Sequence, residues 1–173
     1  MTAPEEWVDI IDEHDRVIGR ATREQMRAQN LLHRSVGVLC MDPLGRLYVH
    51  RRTDHKDVYP GMYDVSVGGV VAAGESYDAA AMREIGEELG IVGPTPERLF
   101  MHRYEDAHTR SWIAVYRVTW DGPIRHQPSE VAWGRYCTPD EIVENASDWA
   151  FVPDGWQIFE RFLALENIAI SKR

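Results

Sequence analysis

Cysteine is scarce in this chain: there are two among 173 residues, Cys40 and Cys137. So few thiols exclude a disulfide-stapled scaffold, and neither sits at a spacing that suits a metal pair. Cys40 falls in the apolar run from Val36 to Met41, so both read as reduced structural thiols. Long hydrophobic runs are missing too. No stretch approaches the roughly 18 apolar residues that span a bilayer, and the N-terminus lacks a charged-then-apolar signal segment, so a cytoplasmic location is expected. Positive charge is in deficit, with 19 Lys and Arg against 28 Asp and Glu and a net charge of −9, which argues against a nucleic-acid-binding surface. Repeats and low-complexity tracts are also absent, so disorder is expected only at the ends. What remains, 44% hydrophobic and 27% charged residues, is ordinary for one well-buried domain.

The informative stretch runs from Gly69 to Ile91. It places Glu84, Glu87 and Glu88 within two turns of an expected helix. A helix advances about 100° per residue, so these positions crowd on one side and their charges repel. The cluster makes sense with something positive above it. A hard cation with oxygen ligands is the simplest candidate, because magnesium takes one or two carboxylates and keeps positions for water and phosphate. Met82, Ile85 and Leu89 have the spacing of an opposing, core-facing stripe. Ser76 suits the N-cap, Asp78 the positive end of the helix dipole, and Gly90 the left-handed stop. Gly68 and Gly69 precede the helix, where a missing side chain lets backbone approach a ligand.

Around this helix the pattern gives short elements. Trp7 to Ile11 and Arg16 to Gly19 read as strands about the turn from Asp12 to Asp15, followed by a short helix from Thr22 to Gln29 capped by Thr22. Ser35 to Met41 and Arg46 to Arg52 read as a hairpin about the turn from Asp42 to Gly45, and Tyr63 to Val67 as a strand leading into the acidic helix. Arg98 to Tyr104, Ser111 to Trp120 and Val131 to Cys137 are further strands. Thr138 is expected to cap a helix containing Glu141, and Asp154 another reaching about Asn167. The expected class is α/β, an α/β/α sandwich with a mixed central sheet and a short N-terminal β extension.

Gly69, Glu75, Arg83, Glu84, Ile85, Glu87, Glu88, Gly90 and Ile91 match every fixed position of G-x5-E-x7-R-E-U-x-E-E-x-G-U, where U is aliphatic. The chain thus resembles the Nudix hydrolase superfamily, whose fold is the same sandwich. The resemblance implies a domain over residues 31–173 with residues 1–30 as an extension packed on it, a single domain overall. It implies that Glu84, Glu87 and Glu88, with the Gly69 carbonyl, ligate Mg2+ or alternatively Mn2+. Arg83 and Glu75 would orient those carboxylates, and Gly90 would end the helix. Outside the box, Leu32-His33-Arg34, Arg51-Arg52, Lys56, Pro60-Gly61 and Asp64 look like the branch that includes isopentenyl-diphosphate isomerase. Within it the stretches Trp7 to Ile10 and Arg23 to Gln29 look most like bacterial Nudix hydrolases of uncertain substrate.

Isomerisation needs an acid and a base on opposite sides of an allylic carbon, and the isomerases that the chain resembles supply a cysteine and a glutamate for this, with histidines holding a metal. At those positions this chain has Gly68, Val70 and Met26, and only His33 has a match. The box pairs Arg83-Glu84 and Glu87-Glu88 are intact, so hydrolysis of a diphosphate X-P-O-P-Y by activated water is favoured, with an isomerase and a non-catalytic nucleotide-binding module as the alternatives. The resemblance places Arg52 and Lys56 on the diphosphate. It offers Glu130 as auxiliary ligand or base, with Glu84, Glu105 and Asp106 as other candidates for the base. Tyr59, Tyr63, Tyr104 and Trp112 are candidate base-stacking platforms, though packing is the commoner role of such residues. The expected partner is a small nucleotide or other diphosphate, with no nucleic acid and no membrane; edge strands would support a homodimer.

Overall fold

The computed structural model describes residues 5–171. The extreme ends, for which disorder was expected, lie outside the described residues. Among the described residues nine strands and four helices follow one another as β1 (Trp7–Ile11), β2 (Val17–Thr22), α1 (Arg23–Ala28), β3 (His33–Met41), β4 (Leu47–Arg52), β5 (Tyr63–Asp64), β6 (Val67–Val70), α2 (Tyr77–Leu89), β7 (Glu97–Glu105), β8 (Arg110–Thr119), β9 (Val131–Cys137), α3 (Pro139–Asn145) and α4 (Pro153–Leu165). No helix among the described residues is long and apolar enough to cross a membrane.

The mixed sheet is organised about β3. One edge of β3 runs parallel to β8 along its whole length, from His33↔Ser111 to Met41↔Thr119. The opposite edge is shared in turn by β1 at Ile10↔His33, by antiparallel β6 from Ser35↔Val70 to Val38↔Val67, and by β4 at Met41↔Leu47. The expected hairpin is therefore only a corner. With both edges of β3 taken, β4 turns away and pairs with β9 from Leu47↔Cys137 to Arg52↔Val131. The turn itself is as expected, because Asp42 Oδ1 accepts from the amides of Leu44 at 3.0 Å and Arg46 at 2.9 Å.

Alternation along β3 builds two cores. Val36, Val38 and Cys40 face α2 residues Ala81, Ile85 and Leu89, whereas Leu39 faces Phe159 and Phe162 of α4. The sheet thus lies between α2 and α4, and both cysteines are free and buried. Three expectations need correction. Met82 is 49% exposed; Ile85 and Leu89 are buried as expected, but beside Ala80, Ala81, Glu84 and Glu88, so two acids share the inward half of the helix. Asp154 does not cap α4; Val152 occupies that position without a side-chain bond, Pro153 opens the helix, and Asp154 sits in its first turn. The strand drawn from Tyr63 to Val67 is two pieces, β5 and β6, parted where Asp64 Oδ1 accepts the Ser66 amide at 3.1 Å.

Candidate functional site

Local signals fix the acidic helix. Ser76 Oγ accepts from the Ala79 amide at 3.1 Å, and Gly90 adopts φ 68° while its N–H returns to Gly86 O. Strand β6 then sets two glycines against β3 and α2. A Cβ on Gly69 would lie 2.6 Å from Glu84 Oε1, so the bare backbone is what admits that carboxylate.

Arg83 holds the acids. Its Nε and Nη2 donate to Glu75 at 2.9 and 3.0 Å, and Nη1 donates to Glu84 Oε1 at 2.6 Å and Glu87 Oε2 at 3.3 Å. Nη2 also reaches Val70 O at 3.3 Å. These partners, Glu75 foremost, raise the Arg83 guanidinium further above its ordinary range. Burial works to raise Glu75, but Arg83 and the Ala72 amide outweigh it and hold that carboxyl low. Glu84 and Glu88 are buried, and Glu87 is exposed at the rim. Burial pushes Glu84 up against the opposing pull of Arg83. Burial, then the neighbouring Glu84 carboxylate, pushes Glu88 up to about 8.

These acids line a cleft of about 360 Å³ together with Gly69, Lys56 and Glu130. Lys56 donates to Glu130 in an ion pair. Backbone bonds bring that loop in: the Gln127 amide donates to Glu88 O at 3.1 Å, and Thr53 donates to Glu130 O at 3.1 Å and through Oγ1 to Ser129 O at 2.9 Å. Among the described residues no three His, Cys, Asp or Glu side chains stand as a ready-formed metal cluster. The acids are gathered on one wall, with Arg83 between them. The chemistry of the donors nonetheless suits a hard cation: they are carboxylate oxygens crowded enough to raise one another's pKa, beside a backbone with no Cβ.

Several expected residues stand elsewhere. Arg52 lines a neighbouring cavity and donates to Val58 O at 2.9 Å. Glu105 is paired to Arg103 and Arg110, each at 2.9 Å. Asp106 accepts from Tyr59, from Tyr104 at 3.0 Å and from the His108 and Thr109 amides, so it organises a turn. Neither acid lines the acidic cleft. Tyr63 stacks on Trp149 at 4.5 Å, Tyr104 is buried, and Trp112 Nε1 donates to Glu13 O at 3.2 Å. Of the four aromatics, Tyr59 alone lines either cavity.

The cleft also has a wall to which the sequence assigned no site role, made by Glu6, Trp7 and Arg23 of the N-terminal segment. Arg23 pairs with Glu6 at 3.1 Å and Asp57 at 3.6 Å. In the sequence it was marked as the first residue of the stretch Arg23 to Gln29, within the capping box that Thr22 and Gln25 form.

His33 is buried, and its Nδ1 donates to Leu31 O at 2.9 Å. Burial pulls its pKa down to about 4, with Arg27 and Arg23 adding to the effect. The folded chain thus binds fewer protons than the unfolded chain between about pH 4 and 6.5. Stability contributed by neutral His33 is present above 6.5 and falls by about 3 kcal/mol as pH drops to 4. Urea denaturation across that window should show a shallower pH slope for His33→Gln than for the wild type; equal slopes would contradict the buried neutral imidazole.

The NUDIX domain family matches residues 31–162. A Nudix hydrolase of Streptomyces coelicolor is 48% identical over 166 residues, covering 95% of this chain and 92% of the relative. The Nudix hydrolase YfcD of Escherichia coli is 42% identical over 152 residues, covering 88% and 83%. The crystal structure of DR0079 from Deinococcus radiodurans superposes with a TM-score of 0.77 at 26% identity, covering 90% of this chain and 98% of that one. The chain belongs to the Nudix hydrolase family. As such it is an enzyme of the class that acts on phosphoanhydride bonds, on the mixed α/β fold that its neighbours share.

Proposed function

We propose that the chain is a magnesium-dependent pyrophosphohydrolase that cleaves a nucleoside diphosphate linked to another moiety, X-P-O-P-Y, into two phosphate-bearing products. The observation that carries this reading is the pair of buried carboxylates, Glu84 and Glu88, at the wall of a cleft that also holds a lysine. Glu84, Glu87, Glu88 and the Gly69 carbonyl would hold Mg2+ or Mn2+. The cation supplies a water acidified toward neutrality and a counter-charge to the diphosphate. Arg83, itself fixed by Glu75, keeps Glu84 and Glu87 aimed together. Lys56, which lines the acidic cleft, offsets the charge that grows on the phosphoryl oxygens, and Arg52, from the adjoining cavity, would join it by leaving Val58 O. Glu130, released from Lys56 when the lysine turns to phosphate, accepts the proton of the attacking water as the phosphoanhydride P–O bond breaks.

The isomerase reading fares worse on physical grounds. Met26 and Val70, which replace two of its histidines, pack with Val8 in a small apolar cluster that cannot hold metal. At Gly68, where its cysteine would stand, any Cβ would lie 1.9 Å from Val36 O, a backbone atom of the same sheet. The binding-module reading leaves four aligned acids without a task. We further take the enzyme to work in the cytoplasm on a small molecule, without nucleic acid or membrane, and offer the homodimer as its assembly.

Phosphate release from a panel of nucleoside diphosphates, nucleoside triphosphates, dinucleotides and isoprenoid diphosphates with Mg2+ tests the reading. Tight binding without turnover would favour the module, and interconversion of isopentenyl and dimethylallyl diphosphate the isomerase. A second measurement addresses the metal alone. Because Glu88 titrates near 8, loading Mg2+ at pH 7 should expel about one proton, read by calorimetry in buffers of different ionisation enthalpy. Binding with no proton released would remove Glu88 from the ligand set.

A further inference from the structure

Arg23 and Arg27 stand four residues apart on α1, so both guanidinium groups leave the same side of the helix. Their mount is firm, because the Thr22–Gln25 capping box closes the first turn and Met26 is buried behind it. Like charges so placed repel, and one residue answers both. Asp57 Oδ2 accepts from Arg27 Nε at 3.1 Å and lies 3.6 Å from Arg23 Nη2. Partial burial works to raise the Asp57 carboxyl, but Arg27, Arg23 and Lys56 outweigh it and hold it below the usual carboxylate range. Arg27 Nη1 also donates to Thr109 Oγ1 at 3.4 Å, which ties the same guanidinium to the turn before β8.

Asp57 directly follows Lys56, the lysine of the acidic cleft. Both belong to the loop over residues 53–62, between β4 and β5. Thr53 anchors its near end through Glu130 O and Ser129 O, and the Tyr59 hydroxyl anchors its far end on Asp106. Between those ends two tethers are lent rather than fixed. Lys56 holds Glu130, and Val58 O accepts from Arg52 at 2.9 Å. In the hydrolytic reading both cations leave these partners for phosphate oxygens. The side chain that then still fastens the middle of the loop is Asp57, on α1.

We propose that Asp57, clasped by Arg23 and Arg27, is a positioning residue for Lys56. The clasp fixes the lysine's backbone while its ammonium exchanges Glu130 for phosphate, and it makes the N-terminal helix a working part of the cleft. The proposal rests on the diphosphate reading, with the phosphates held at the acidic cleft.

The test is calorimetric titration of methylenediphosphonate, a non-hydrolysable diphosphate, into the whole protein with Mg2+. The sign of the effect separates two roles. A carboxylate near the site repels an anion, so if Asp57 acted through its charge alone, Asp57→Asn would tighten binding. As a positioning residue its loss frees Lys56 and should weaken binding about tenfold. Asp57→Glu, which keeps the charge, should retain most of the affinity. In a Lys56→Met protein the Asp57→Asn change should cause no further loss. The Asp57 side chain is 42% exposed, and exposed ion pairs add little to global stability, so melting should stay near that of the wild type. Asp57→Ala serves as a second uncharged variant should the amide melt early. Equal or tighter binding by the folded uncharged variant would overturn the proposal, as would an undiminished loss in the Lys56→Met background. No binding of the probe by the wild type would sink the diphosphate reading and the clasp together, whereas wild-type binding with an unweakened variant rejects the clasp alone.

Discussion

Glu88→Gln lowers kcat by about a thousandfold while making the metal-free protein more stable. The two effects have one origin. Glu88 is 4% exposed and its pKa is raised to about 8, so the unfolded chain binds fewer protons than the folded one between 4.5 and 8. Wild-type stability therefore falls as pH rises through that window. An amide mimics the protonated acid and removes the penalty, a gain of about 3 kcal/mol at pH 7 that vanishes below pH 4.5. Chemical denaturation of both proteins without metal, at pH 4, 7 and 8, measures it. Glu87→Gln gives the contrast: its side chain is exposed, so turnover should fall comparably with little change in stability. Wild-type turnover in both variants would remove these carboxylates from the chemistry.

Gly68→Cys, the change that would restore the isomerase side chain, is expected to destabilise the protein by on the order of 4 kcal/mol or more and to yield no isomerase. The new Cβ would meet Val36 O at 1.9 Å and Gly37 Cα at 3.1 Å, both backbone atoms of the paired strand β3. Neither can swing aside as a side chain could. A soluble Gly68→Cys protein with wild-type melting behaviour would mean that β6 sits farther from β3 than the register Gly37↔Gly68 requires. Because Gly37 faces Gly68 across that register, the close approach depends on residues on both strands.

What the sequence made legible was local. Ser76 and Gly90 announce the ends of α2 by side-chain chemistry and left-handed backbone, Thr22 and Thr138 announce α1 and α3, and the box spacing marks its acids within a few turns. Non-local facts were hidden. Met82 and Ile85 look equivalent along the chain, and only the direction from which β3 approaches decides that Met82 stays outside. The corner between β3 and β4 depends on β6 and β8 claiming the edges first. Arg23 had a family-like stretch around it but no assigned role, and it reaches the cleft because β1 and β2 lay the N-terminal segment beside β3. Glu105 and Asp106 stood as further candidates behind Glu130, and the fold parts them from it through the loop that the Gln127 amide ties to the end of α2.

The parallel seam between β3 and β8 sets an order on self-assembly. β6, which presents Gly69 to Glu84, has β3 as its partner, and the other flank of β3 is not covered until Thr119 is in place. Long-range parallel pairing is slow to form, because the intervening chain must be confined before any contact rewards it. A nascent chain leaving the ribosome at the end of α2 would thus carry its acidic helix beside a half-bare strand, exposed to self-association until the residues from Gly90 to Thr119 had been made. Competence of the cleft is for that reason a late event in the life of the polypeptide.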